Sequence, residues 1–145
     1  MRDLVVAALW QHDGFVLEFQ GDSVIGIWPP GFSGPDHAQK AVAAARTVAA
    51  ALSRQPQGKD PVQAGMGLHT GQAFVCTFSA ASGKLQEVGA FGQAMNIAAR
   101  LSALAEPGQI LVTQAICDAA GRQPDDMRDV TLKGIDAPVR ITALA

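Results

Sequence analysis

The sequence predicts an α+β domain with helices packed on one face of a mostly antiparallel sheet. Three observations point there. Two long segments carry apolar residues at helical spacing. Several short apolar runs are separated by Gly-containing turns, as in hairpins. Helical and strand segments are interleaved without the strict alternation of a parallel α/β fold. The 145 residues, 48% hydrophobic and 17% charged, suit one domain spanning residues 1–145 around a packed core, and they exclude a disordered chain.

Residues 4–11 read as the end of a helix, closed by Asp13-Gly14. Residues 15–19 and 23–28 are strands about Gly21-Asp22, a hairpin turn because glycine tolerates the positive φ required. Pro29-Pro30-Gly31 stops the second strand, and a loop runs to Gly34. Pro35-Asp36 opens a helix. Its Ala38, Ala41, Val42, Ala45, Val48, Ala49 and Leu52 form one buried face. Residues 55–60 are polar and predict a loop. Val62, Ala64, Met66 and Leu68 then alternate with Gln63, Gly65 and Gly67, a strand whose glycine face admits close packing. Strands follow at 72–78 and 85–88. Gly89 and Gly92 are expected to bracket a loop into a second helix that buries Ala94, Ile97, Ala98, Leu101 and Leu104 and ends at Pro107-Gly108. A strand at 110–112, a short helix capped by Thr113, a polar loop over 121–129, and strands at 130–132 and 139–144 about Lys133-Gly134 complete the chain.

The net charge of −2 leaves no basic footprint for nucleic acid, so an anionic ligand needs locally placed cations or a metal. Cys76 and Cys117 lack metal-site spacing and are expected to be reduced thiols of a cytoplasmic domain. The apolar run near Met1 is too short for a signal sequence, and no stretch has the length of a membrane span.

Three features carry candidate chemistry. Asp22 sits at a hairpin tip, fixed and accessible, which suits a hard divalent cation; a Gly-Asp dipeptide is also simply a good turn. Asn96 and Arg100 are four apart, hence on one helix face near a glycine-rich segment. There an amide can orient a sugar and a guanidinium can neutralise phosphate, and the plain alternative is a solvated helix edge. Lys133, in a turn, either points at phosphate or is solvated. His69, His37 and His12 lack a partner at motif spacing and read as structural or surface residues.

The segments FVLEFQGDSVIGIW, VQAGMGLHTGQAFV, VGAFGQAMNIAARL, EPGQILVT and VTLKGIDAPV occur in this order between Phe15 and Leu144. Together they resemble the class III adenylate/guanylate cyclase catalytic domain. The resemblance implies a ferredoxin-like cyclase fold, Mg²⁺ or Mn²⁺ as cofactor, and ATP or GTP as substrate. It also implies a homodimer in which each site draws on both chains. Residue by residue, Asp22 resembles the second of two metal-binding aspartates, Asn96 the ribose-orienting residue, Arg100 the arginine facing the α-phosphate, and Lys133 a triphosphate contact. Glu18 and Gly89 fall on the two purine-selecting positions. Glutamate tilts toward guanine, and glycine cannot read a base edge.

The chain departs from the family at its start. No segment before Phe15 resembles the strand that carries the first metal aspartate, so the domain is expected to be N-terminally incomplete, with that strand missing. The expected function is cyclisation of ATP or GTP for signalling, with little activity from this polypeptide. The alternative is a non-catalytic regulatory or dimerisation module that keeps the fold.

Overall fold

A computed structural model describes residues 1–54, 64–79, 82–83 and 85–144. The expected loop at 55–60 and the start of the strand at 62–63 lie outside the described residues. The chain opens with helix α1 (Arg2–Gln11), then the antiparallel hairpin β1 (Phe15–Gln20) and β2 (Ser23–Ile27). A one-turn helix α2 (Pro30–Ser33) occupies what the sequence predicts as loop, since Pro30 at its first position is preset for helical φ. Helix α3 (His37–Ser53) follows, then β3 (Met66–Leu68), β4 (Phe74–Ser79), β5 (Leu85–Phe91) and helix α4 (Gln93–Leu104). β6 (Ile110–Thr113), α5 (Gln114–Ala119), β7 (Arg128–Val130) and β8 (Val139–Leu144) complete it.

The strands form three sheets. β1–β2 and β4–β5 are two-stranded, and four strands pair in the order β3-β6-β8-β7. Among the described residues, only the β3–β6 pairing is parallel, so the mostly antiparallel α+β expectation holds. The expectation of helices on one face does not. All four residues of β6 are buried, and alternate side chains leave a strand on opposite sides. Ile110 and Val112 pack with Ala38, Val42 and Ala45 of α3 and with Ile116 and Cys117 of α5. Leu111 faces the other way, into Ile97 and Leu101 of α4, Ile141 of β8, Leu132 and Ile135. A strand apolar on both faces demands a cover on each.

The helical faces follow their patterns with one exception. In α3, Ala38, Ala41, Val42, Ala44, Ala45 and Val48 are buried, and the small side chains let α1 pack closely through Ala8 and Leu9. Leu101 in α4 is fully buried, worth roughly 1.5–3 kcal/mol. Leu104, expected inside, is 47% exposed because α4 ends there and the chain leaves in an extended conformation at Ala105. Thr113 caps α5 as expected, its Oγ1 accepting from the Ile116 amide at 3.4 Å.

Three further expectations are corrected. β5 continues through Gly89, paired with Cys76 of β4, so Gly89 lies mid-strand and not in a loop; only Gly92, at φ 138°, breaks the chain. β7 is the segment 128–130, displaced from the expected 130–132, because Arg128 and Asp129 on a sheet edge pair through their backbones while Leu132 is buried beyond the strand. His12 and His37 are half-buried and not surface residues. His12 Nε2 meets Thr47 Oγ1 at 2.9 Å, and His12 offers its carbonyl to the Trp28 indole N–H, also at 2.9 Å. Cys76 and Cys117 are free thiols, and burial raises the Cys117 pKa. Among the described residues, no helix is long and apolar enough to cross a membrane.

Candidate active site

Asp22 is exposed at the tip of the β1–β2 hairpin, held up by the positive φ of Gly21 (61°). Arg2 of α1 closes over this tip. Its Nη2 donates to the Gly21 carbonyl, and its guanidinium stacks 5.3 Å from the Phe19 ring centroid. Asp22 and Asp3, the latter in the first turn of α1, line an open hollow of about 620 Å³ together with Met1, Arg2 and Gly21. Among the described residues, no group of three or more His, Cys, Asp or Glu side chains gathers. The donor set is therefore one or two hard carboxylates. That suits Mg²⁺ or Mn²⁺ shared with phosphate and water, and not a cage built from protein alone.

A second cavity, of about 430 Å³, lies between the two hairpins and α4, and it unites three of the candidate residues: Glu18 from β1, Gly89 from β5 and Asn96 from α4. Local structure explains their convergence. The β1–β2 register slips between Val16 and Glu18, a β-bulge at Leu17 that re-aims the strand, so Leu17 and Glu18 both line the cavity. Gln20 Nε2 donates to Glu18 Oε2 at 3.1 Å. On α4, Asn96 is exposed toward the cavity rim, and Arg100 is exposed one turn further along. Lys40 bonds Asp13 (2.9 Å) and Asp36 (3.2 Å), whereas Arg100 takes part in no ion pair among the described residues.

Three candidates stand apart from this cavity. Asp22 opens onto the other hollow, Arg100 is not among the cavity's lining residues, and exposed Lys133, in the turn after β7, lines neither hollow. Three residues that sequence reasoning passed over do line it: Gln20, Phe78 and Phe91. Finding the last two needed the β4–β5 register, which places Phe91 opposite Phe74 and Phe78 two positions along the same face. His69 is held structurally. Its Nδ1 lies 2.9 Å from Thr113 Oγ1, and burial lowers its pKa from 6.5.

With this geometry in place, comparison with known proteins identifies the fold. The structure of the guanylyl cyclase Cya2 superposes with a TM-score of 0.83 at 27% identity, covering 94% of this chain and 72% of that one. By sequence, the chain is 34% identical to an uncharacterized protein of Mycobacterium tuberculosis over 145 residues, 95% of this chain. It is 31% identical to adenylate cyclase 1 of Rhizobium meliloti over 107 residues, 70% of this chain. The chain spans about a quarter (26%) of the Mycobacterium protein's length and 16% of the Rhizobium enzyme's. No protein-family model matches it. The chain has the fold of the class III adenylyl/guanylyl cyclase catalytic domains and is similar to them over nearly its whole length.

Proposed function

We propose that residues 1–145 act in the cytoplasm as one nucleotide cyclase domain, converting ATP or GTP to the 3′,5′-cyclic nucleotide and pyrophosphate for signalling. The observation that carries this reading is the cavity into which Glu18, Gly89 and Asn96 converge from three separate elements, with exposed Arg100 one helical turn beyond Asn96. In the reaction the ribose 3′-oxygen bonds to the α-phosphorus, the bond from that phosphorus to the β-bridging oxygen breaks, and the hydroxyl proton passes to solvent. Asn96 orients the ribose for in-line attack. Arg100 supplies fixed positive charge where negative charge grows on the α-phosphate. Lys133 meets the outer phosphates. Asp22 would hold Mg²⁺ or Mn²⁺, which when bound would neutralise phosphate charge and ease loss of the hydroxyl proton. Glu18, an acceptor-only carboxylate, matches the adjacent N–H donors of guanine better than the adenine edge.

Asp22 and Asn96 open onto different hollows, which supports a site assembled from two copies of the chain. The β4–β5 hairpin supports it too. Phe74 (70% exposed) and Val75 (49%) leave apolar surface on both its faces, an area that self-association would remove from water. Asp22 resembles one member of the family's metal pair.

Electron paramagnetic resonance of Mn²⁺ tests the reading. GTP should create a bound Mn²⁺ population that Asp22→Ala abolishes, and mass spectrometry should detect Mn²⁺-dependent cyclic nucleotide formation. A Mn²⁺ signal indifferent to both GTP and Asp22→Ala would instead favour the non-catalytic dimerisation module.

A further inference from the structure

The hairpin that carries Asp22 is a two-stranded unit among the described residues, and such a unit is marginally stable on its own. Its support is α1. The chain reverses at residues 12–14, so α1 and β1 run side by side in opposite directions. Ten helical residues span about 15 Å and six strand residues about 20 Å, which brings the start of α1 back to the hairpin tip. The base of the hairpin is fixed first. The Gly14 amide donates to the Leu9 carbonyl at 2.8 Å, and the Trp28 indole N–H donates to the His12 carbonyl at 2.9 Å. Between base and tip, Gly26 leaves room for Leu9, since a Cβ there would collide with Leu9 Cδ2.

At the tip a single side chain makes the connection. Gly21 and Asp22 lie outside the Gln20–Ser23 pair that ends the ladder, so the Gly21 carbonyl takes no part in strand pairing. Arg2 Nη2 donates to that carbonyl, and the guanidinium lies 5.3 Å from the centroid of the Phe19 ring on the same hairpin. Arg2, Gly21 and Asp22 line one hollow, yet among the described residues Arg2 forms no ion pair with Asp22. The guanidinium therefore grips the backbone beside the carboxylate and leaves the carboxylate oxygens to a ligand. A carboxylate on an unheld turn must lose conformational freedom when it takes a cation, and a turn already held loses less.

We propose that Arg2 is a positioning residue for Asp22: through the Gly21 carbonyl and the Phe19 ring it fixes the turn, so that the carboxylate meets a divalent cation preorganised. It rests on the cyclase reading for the use of that cation and not for the clamp itself. The charge of Arg2 acts in the opposite sense, because a guanidinium near a cation site repels the cation. Removing Arg2 therefore weakens metal binding if positioning dominates and tightens it if repulsion dominates. Arg2 and Asp22 are both exposed, so solvent and salt screen the repulsion, whereas the loss of a held turn is not screened.

The test is a titration of Mn²⁺ into the isotope-labelled full chain, alone and with GTP, read by NMR as paramagnetic broadening at the backbone amide of residue 22. Asp22→Ala should abolish the broadening. Arg2→Ala should raise the Mn²⁺ concentration needed for it about tenfold. Arg2→Lys keeps the charge and loses the planar fork; it should show a smaller loss, and it serves if the alanine variant disturbs the fold. Phe19→Leu should also weaken binding, and combining it with Arg2→Ala should add nothing, because both remove one clamp. Thr113→Ala, which removes the α5 cap in the other sheet, should lower the urea midpoint and leave Mn²⁺ affinity unchanged. The proposal is overturned if the Arg2 variants leave affinity unchanged or tighten it, if Thr113→Ala weakens it as much, or if the wild-type tip takes no Mn²⁺. Arg2-sensitive binding that GTP does not strengthen would leave the clamp standing and count against the cyclase reading. GTP-strengthened binding that needs Asp22 and is indifferent to Arg2 would do the reverse.

Discussion

Thr113 serves two neighbours at once. Its hydroxyl caps α5 at the Ile116 amide and meets His69 Nδ1 at the end of β3, tying together the two parallel strands that carry these residues. Burial disfavours the charged imidazole and lowers the His69 pKa below its ordinary 6.5. The unfolded chain therefore takes up the proton more readily than the folded one as pH falls below 6.5, so acidification favours unfolding. The urea midpoint should be highest above pH 7 and decline as pH is lowered through 6.5 toward the folded-state value. In His69→Gln that part of the decline should vanish, and an unchanged pH profile would show that His69 is not its source. The exposed Lys40 cluster acts in other ranges. Hydrogen bonding to Asp13 and then Asp36 raises the Lys40 pKa above 10.5, a contribution lost only at higher pH; the Lys40 bond lowers Asp36 below 3.8, a contribution lost only in strong acid.

At the scale of elements, β3 approaches α4 so closely that position 67 has no room for a side chain. A Cβ at Gly67 would lie 2.3 Å from the Ser102 nitrogen and 2.5 Å from the Ala98 carbonyl oxygen, both backbone atoms of α4. Gly67→Ala must push α4 off the sheet, and it should cost about 1–3 kcal/mol or more, read as a lowered urea midpoint. Gly21→Ala, where open space surrounds the position but φ is 61°, strains only the local turn and makes a useful comparison. The need for close packing was legible in the alternation of Gly65 and Gly67 with larger residues; the partner was not, because alternation marks a bare face without naming what covers it. The β1–β2 hairpin, the α3 stripe and the Thr113 cap were legible for a related reason, since each is set by residues within a few positions. Gly89 misled because glycine locally disfavours strand, whereas pairing with Cys76 and the rings above it keep β5 running. The edge strand β7 was missed by two residues because Arg128 and Asp129 carry no apolar signal.

At the scale of the whole molecule, the sequence offers the candidate site as separate residues and not as an arrangement. The cyclase resemblance groups Asp22, Asn96 and Arg100 in one proposed constellation. The fold puts the hairpin tip and the α4 face on different hollows of one protomer, a division that no sequence spacing records. The same fold leaves Phe74 and Val75 uncovered on the β4–β5 hairpin. Under a two-fold axis, each such surface meets its counterpart, and every site formed once is formed twice. In the proposed dimer, a metal held by Asp22 would serve the nucleotide lying on the other chain's Asn96.

Paramagnetic broadening in mixed dimers measures that relation directly. An isotope-labelled Asp22→Ala chain is combined with excess unlabelled wild-type chain, GTP and Mn²⁺, and the Asn96 side-chain amide of the labelled chain is observed. The account predicts that this signal broadens, because the metal is carried by the partner's Asp22, and that it stays sharp when a labelled wild-type chain is paired with excess unlabelled Asp22→Ala. Broadening that follows the labelled chain's own Asp22 would contradict the account.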